Sequence, residues 1–305
     1  MAGPVFLQFT AAPAIAPAYL KILLGRKPAF ATGSVPRIEA VLDRFAVDSR
    51  HLARYRRVCG DRDSTQLPIT YPHVLATPLH LAMIACEAFP VSLLGVVHTR
   101  NRIVQHRPLH VDDAGEIRAW LEGHRETARG QELDLQTQVR VGGEIVWSET
   151  STFLARRRER SKGPQTRDSG LPNLEVPPRQ DVTTSTFVVD PGVGRQYARV
   201  SGDFNPIHIA DIAARFFGFK RAIAHGMWSL ARCAAEIGAT AFSQPCTLDV
   251  AFKRPIVFCA RIVLESWMAD RHVGFSLRDS QAERGLADRS LAHRGHLLGS
   301  VIRSN

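Results

Sequence analysis

The chain of 305 residues is 45% hydrophobic and 22% charged, with 22 Gly and 18 Pro, which gives the length of about two globular domains and excludes collagen-like and disordered make-up. A formal net charge of +10 favours anionic partners without naming one. The five cysteines, Cys59, Cys86, Cys233, Cys246 and Cys259, contain no C-x-x-C pair, which argues against a disulfide framework or thiolate zinc site and fits a reducing, cytoplasmic setting.

Residues 1–36 lack the positive-then-apolar order of a secretory signal, since the first cation is Lys21, and read as a leader segment. The apolar stretches 5–24 and 75–97 are interrupted by Pro13, Pro17, Pro78 and Pro90, so neither reads as a membrane span. Strand-like runs follow at 94–104, 116–122, 132–140 and 144–155. Residues 156–181 combine charge, Pro, Gly and Ser and read as a linker. Its basic run at 156–162 has no interleaved aromatics, so a solvated segment is preferred to a nucleic-acid contact. Beyond it, 227–237 is apolar or small nearly all round, as in an enclosed helix, and 246–252, 260–267, 272–278 and 296–303 have strand character. One sheet curling around one buried helix satisfies each half.

The halves repeat. Tyr55 to Asp61 and Tyr197 to Asp203 both fit Y-x-R-V-x-G-D, 142 residues apart, and Arg107-Pro108 matches Arg254-Pro255 at a spacing of 147. Order and spacing together identify a duplicated unit.

The second copy carries the chemistry. Asn205-Pro206 reads as a helix start, with Asn as N-cap and Pro at the first helical position. His208 then falls in the first turn and Asp203 on the loop before it, where a carboxylate and an imidazole can share a water molecule. His225-Gly226-Met227 precedes the enclosed helix; Gly226 allows a ligand close to the backbone, and its N–H points at an oxyanion. A zinc site on His208 and His225 lacks a third ligand at regular spacing. In the first copy Asp61 matches Asp203, but Gln66 stands against His208 and Asp63 against Asn205. Aligning helix starts sets Pro78, which has no N–H, against Gly226. One active site per chain is expected, in the second half.

The run Y-x-x-V-S-G-D-x-N-P-x-H, followed by Gly218-Phe219 and Ile223-Ala224-His225-Gly226-Met227, closely resembles the MaoC-like (R)-specific enoyl-thioester hydratases and dehydratases. The duplicated chain resembles the double hot-dog members over residues 37–303. The resemblance implies an α+β fold: two antiparallel sheets, each wrapped around a central helix, paired as an intramolecular pseudo-dimer. Residues 37–155 would be the degenerate domain and 182–305 the catalytic one. The implied reaction is reversible addition of water to a trans-2-enoyl thioester of CoA or acyl carrier protein, giving the (R)-3-hydroxyacyl thioester, with no metal or other cofactor. Asp203 and His208 would form the dyad, the Gly226 amide would meet the thioester oxygen, and Asn205, Tyr197, Ser201 and His225 would support them. Lys220, Arg221, Lys253 and Arg254 become candidate contacts for the anionic carrier. The first half, freed from catalysis, would widen or lengthen the acyl tunnel, its helix shortened or bent by Pro78 and Pro90. Acyl carrier protein and a second copy of the chain remain open as partners. The alternatives are a hot-dog thioesterase and a non-catalytic acyl-thioester-binding protein.

Overall fold

The computed structural model describes residues 3–31, 33–62, 64–92, 96–156, 176–179, 181–280 and 295–304. In chain order the first half runs β1 (Val5–Phe9), α1 (Ile15–Leu24), β2 (Ile38–Phe45), α2 (Ser49–Cys59), α3 (Tyr71–Ala85), β3 (Val96–Gln105), β4 (Gly115–Leu121), β5 (Arg125–Thr127), β6 (Gly130–Val141) and β7 (Glu144–Arg156). The second runs β8 (Thr183–Val188), α4 (Val193–Ser201), a 3-10 turn (Pro206–His208), α5 (Asp211–Phe216), α6 (Gly226–Ile237), another 3-10 turn (Ala239–Phe242), β9 (Cys246–Phe252), β10 (Arg261–Ala269), β11 (His272–Asp279) and β12 (Leu297–Arg303). Most of the expected linker, with its basic run after Arg156, lies outside the described residues, as do Asp63 and Leu94. Among the described residues no helix is long and apolar enough to cross a membrane.

The strands form one continuous sheet in the order β1-β2-β4-β6-β7-β3-β9-β12-β11-β10-β8, with β5 on the edge of β6. Pairing is antiparallel except between β1 and β2, where Val5 lies opposite Ile38. Each half contributes one sheet, and the two join edge to edge through β3 and β9, with Arg100 opposite Ala251 and Gln105 opposite Cys246. The central helices α3 and α6 bury their side chains against these sheets. On α6, Leu230 and Cys233 are wholly enclosed and share a core with Leu248, Val250, Ile262, Phe275 and Val301. Each such aliphatic side chain contributes about 1.5–3 kcal/mol on leaving water. Arg232 and Glu236 pair one turn apart on the same helix.

Both copies of the Y-x-R-V-x-G-D repeat are helix ends. Gly60 closes α2 at φ 73° and Gly202 closes α4 at φ 77°, each returning its N–H to a carbonyl of the last turn. A left-handed cap favours glycine because a Cβ would crowd the backbone. The two repeats meet at the centre of the molecule, where the rings of Tyr55 and Tyr197, both buried, lie 6.3 Å apart.

One sequence expectation needs correction. Helix α3 begins at Tyr71 and continues through Pro78 to Ala85, giving 15 residues against the 12 of α6. Pro78 therefore neither occupies the position equivalent to Gly226 nor shortens the helix, and Pro90 lies beyond its end. A mid-helix proline costs a hydrogen bond and a clash, but Ala76, Leu79 and Met83 of α3 are fully buried, and that packing offsets the cost. Asn205-Pro206 does start a helix, with Asn205 as N-cap and Pro206 first, in the form of a three-residue 3-10 turn; the α-helix α5 follows at Asp211.

Candidate active site

The left-handed turn at Gly202 swings the chain out of α4 so that Asp203 enters a cavity of about 200 Å³ between the two halves. Local hydrogen bonds set the loop. The Asp203 N–H donates to Ser201 Oγ at 3.1 Å, the Asn205 N–H donates to Asp203 Oδ1 at 3.1 Å, and Asn205 Oδ1 caps the 3-10 turn by accepting from the Ile207 N–H at 3.4 Å. Asn205 thus orients the loop through its backbone as well as its side chain.

His208 Nδ1 lies 2.8 Å from the carbonyl of Ile223, and His225 Nε2 lies 2.9 Å from the carbonyl of Asp203. A carbonyl only accepts, so both ring nitrogens are protonated there, leaving His208 Nε2 and His225 Nδ1 as bare acceptors. His225 Nδ1 is buried with no hydrogen-bond partner among the described residues. Burial pushes the His225 pKa down to about 3, helped by neighbouring His208. Burial likewise lowers the His208 pKa, only partly opposed by Asp203. Burial raises that of Asp203, but His225, His208, the Asn205 N–H and the Tyr19 hydroxyl outweigh it and hold the carboxyl below its ordinary value. At neutral pH the site holds one carboxylate and two neutral imidazoles.

The donor atoms of Asp203, His208 and His225 all lie within 4.8 Å of one another, so the fold supplies the third group that spacing alone did not offer a metal. Their directions fit a metal poorly. The two imidazoles stack with centroids 3.8 Å apart and planes 27° from parallel, so an ion about 2 Å from a nitrogen of one ring and in its plane would lie out of the plane of the other. The arrangement suits a water molecule that donates one proton to a carboxylate and one to an imidazole.

Gly226 is the first residue of α6 and lines the same cavity, so its N–H has no acceptor within the helix. Tyr197, Ser201, Lys253 and Arg254 also line it, whereas Lys220 and Arg221 do not. Arg221 faces Asp211 at 3.7 Å. The Tyr197 hydroxyl is buried with no partner among the described residues. The first half supplies His73, Thr77, Val96, His98, Phe153 and two further cations, Arg129 and Arg156. The His73 imidazole is held by Glu149 at 2.8 Å, and Asn101 Nδ2 donates to the same carboxylate at 2.7 Å. None of these first-half groups, nor Tyr19 behind Asp203, carried a local sequence signal. In the first copy, Asp61 lies 3.5 Å from the buried guanidinium of Arg56, and Gln66 donates to the carbonyl of Phe242 at 2.7 Å.

Residues 172–288 match the family model of the MaoC like domain. The chain is 34% identical over 265 residues to 3-hydroxyacyl-thioester dehydratase X of Mycobacterium tuberculosis, covering 87% of this chain and 91% of that one. The crystal structure of HtdX of the same organism superposes with a TM-score of 0.71 at 30% identity, over 87% of this chain and 100% of that one. A conserved M. tuberculosis protein with a double hot-dog fold gives a TM-score of 0.52 at 11% identity, over 87% and 96%, and shares the fold alone. With two half-sheets wrapped on α3 and α6 and joined as a pseudo-dimer, this chain is a double hot-dog protein and belongs to the MaoC-like dehydratase family.

Proposed function

We propose that the chain catalyses reversible hydration of trans-2-enoyl thioesters to (R)-3-hydroxyacyl thioesters, as a hydro-lyase whose reaction needs no metal or redox cofactor. The observation that carries this reading is the convergence of the Asp203 carboxylate and the His208 imidazole, whose Nδ1–H is taken by the Ile223 carbonyl, in the cavity that Gly226, the first residue of α6, also lines. The similarity to a curated 3-hydroxyacyl-thioester dehydratase supports it.

Water bridging the two acceptors is oriented and made more nucleophilic as it gives up a proton to one of them. Its oxygen bonds to C3, the C2–C3 π electrons move toward the thioester, and the Gly226 N–H stabilises the charge that grows on the carbonyl oxygen. With Asp203 ionised and His208 neutral, the proton surrendered by water is the one on hand for C2, so hydroxyl and proton add to the same face. The thioester itself acidifies C2. The acyl chain would lie against Val96, Val97 and Phe153, and the diphosphate of CoA, or a carrier protein's acidic face, near Lys253, Arg254, Arg129 and Arg156.

The test follows loss of enoyl-thioester absorbance across acyl lengths with wild type, Asp203→Asn and His208→Gln. Wild type should turn over, and each variant should lose about 10²–10⁴-fold in kcat while remaining folded. Undiminished turnover in either variant, or an inert wild type, removes the reading.

A further inference from the structure

The N-terminal helix α1 reaches into the site. Tyr19 stands 184 residues from Asp203 in the chain, yet its hydroxyl donates to Asp203 Oδ1 at 3.1 Å and accepts the N–H of Phe204 at 2.7 Å. The ring meets Phe204 edge-on with centroids 6.1 Å apart. Ala18, Tyr19 and Ile22 pack with Leu81 and Ile84 of α3 in a small core of their own, which fixes where the hydroxyl sits.

The consequence lies in how the two carboxylate oxygens are used. Oδ1 is taken by two donors, the Tyr19 hydroxyl and the Asn205 N–H. The other oxygen, Oδ2, lies 3.8 Å from His225 Nε2, on the side of the imidazoles. Burial and the Asp203 charge raise the Tyr19 pKa far above the ordinary tyrosine value, so the hydroxyl remains a donor throughout the working pH range.

We propose that Tyr19 is a positioning residue: by occupying Oδ1 from outside the catalytic half, it locks the Asp203 rotamer, reserves Oδ2 for the water and favours the ionised carboxylate. This rests on Asp203 being the water-handling carboxylate. It also gives the segment before Pro36 a task in the reaction.

The test is Tyr19→Phe, which removes one oxygen and keeps the ring packed on Phe204. Thermal unfolding should show a folded protein. The expected result is a kcat about tenfold lower with KM within about twofold, because a charge-assisted hydrogen bond to the reacting group is lost while the substrate contacts stay. The acid limb of kcat/KM should move up by about one pH unit, since removing a donor to the charged form raises a carboxyl pKa. Other titratable groups face Asp203 from the N-cap of α6 (His225), the 3-10 turn (His208), α3 (His73), α4 (Tyr197) and β3 (His98), so the shift must be assigned to Asp203 itself. A ¹³C carboxyl titration of Asp203 in wild type and variant does this without turnover. 3-Fluorotyrosine at position 19, a stronger donor of nearly the same shape, should move that titration the other way. An Asp203 titration and kcat both unchanged in Tyr19→Phe would overturn the proposal, as would a loss confined to KM or thermal stability. An inert wild type whose Asp203 titration still responds to position 19 would overturn the reaction and leave the positioning role standing.

Discussion

The imidazoles of His208 and His225 stack with centroids 3.8 Å apart and planes 27° from parallel. Two stacked imidazoles resist protonation, because a charge on one is repelled by a charge on the other and both are desolvated. Burial, the larger cause in each, lowers both pKa values, and Asp203 is also held low. The form with Asp203 ionised and His208 neutral therefore persists below the ordinary imidazole value of 6.5. A profile of kcat/KM against pH should be flat across neutrality and fall only on the acid side of 6.5, with apparent values belonging to the coupled pair. An acid limb at or above that value would show that the His208 pKa is not lowered, and a fall on the alkaline side would show that His208 works as an imidazolium.

Gly226 separates activity from stability. A Cβ built there would meet the Phe252 ring at 3.3 Å, and Phe252 in turn lies 4.9 Å from the ring of His98 on the cavity wall. In Gly226→Ala the methyl should crowd the space beside the N–H and lower kcat/KM by about tenfold, since a donor displaced by a fraction of an ångström stabilises the oxyanion poorly. Alanine favours helix over glycine, so the melting temperature should hold or rise. A variant with full activity would place the thioester oxygen elsewhere.

The parts of this site legible in the sequence are those made by near neighbours. Asp203 and His208 share one loop and one turn, so their meeting follows from five residues of chain. The eight strands expected from alternation and β-branching end within two residues of those observed, because half-buried pleats impose a period of two. Long-range contacts left no such trace. Tyr19 reaches Asp203 across 184 residues and His73 reaches Glu149 across 76, and nothing in either local sequence announces a partner. Pro78 misled for a physical reason: proline is a strong signal of a helix start in an exposed segment, yet here a buried helix carries it in its middle. The start lies at Tyr71-Pro72, after Thr70, whose side chain makes no cap.

The cations can be sorted by place. Lys253 and Arg129 line the cavity from opposite halves, whereas Lys220 and Arg221 do not reach it. Lys253→Ala and Arg129→Ala should each raise KM for a CoA thioester by about three- to tenfold, and the effect should shrink at high salt as screening shortens the reach of the field. Lys220→Ala and Arg221→Ala should leave KM within about twofold. Equal effects from all four would mean that overall charge, not a local anion site, draws the substrate in.

The buried pair of His73 and Glu149 should set a pH window for stability. Burial opposes charge on both, but the carboxylate raises the His73 pKa above 6.5, and the imidazole with Asn101 lowers that of Glu149 below 4.5. The raised histidine contributes fully below 6.5 and loses its contribution as pH climbs through its folded value; the depressed glutamate contributes above 4.5 and loses it as pH falls. Both are present together between those limits. Glu149→Gln removes the countercharge while keeping shape, so it should cost about 3 kcal/mol within the window, the typical loss when one partner of an enclosed pair is removed. Denaturant unfolding at several pH values would show the cost shrinking on the alkaline side, where His73 is neutral in wild type as well. A loss independent of pH would mean that the two groups are held by hydrogen bonding alone.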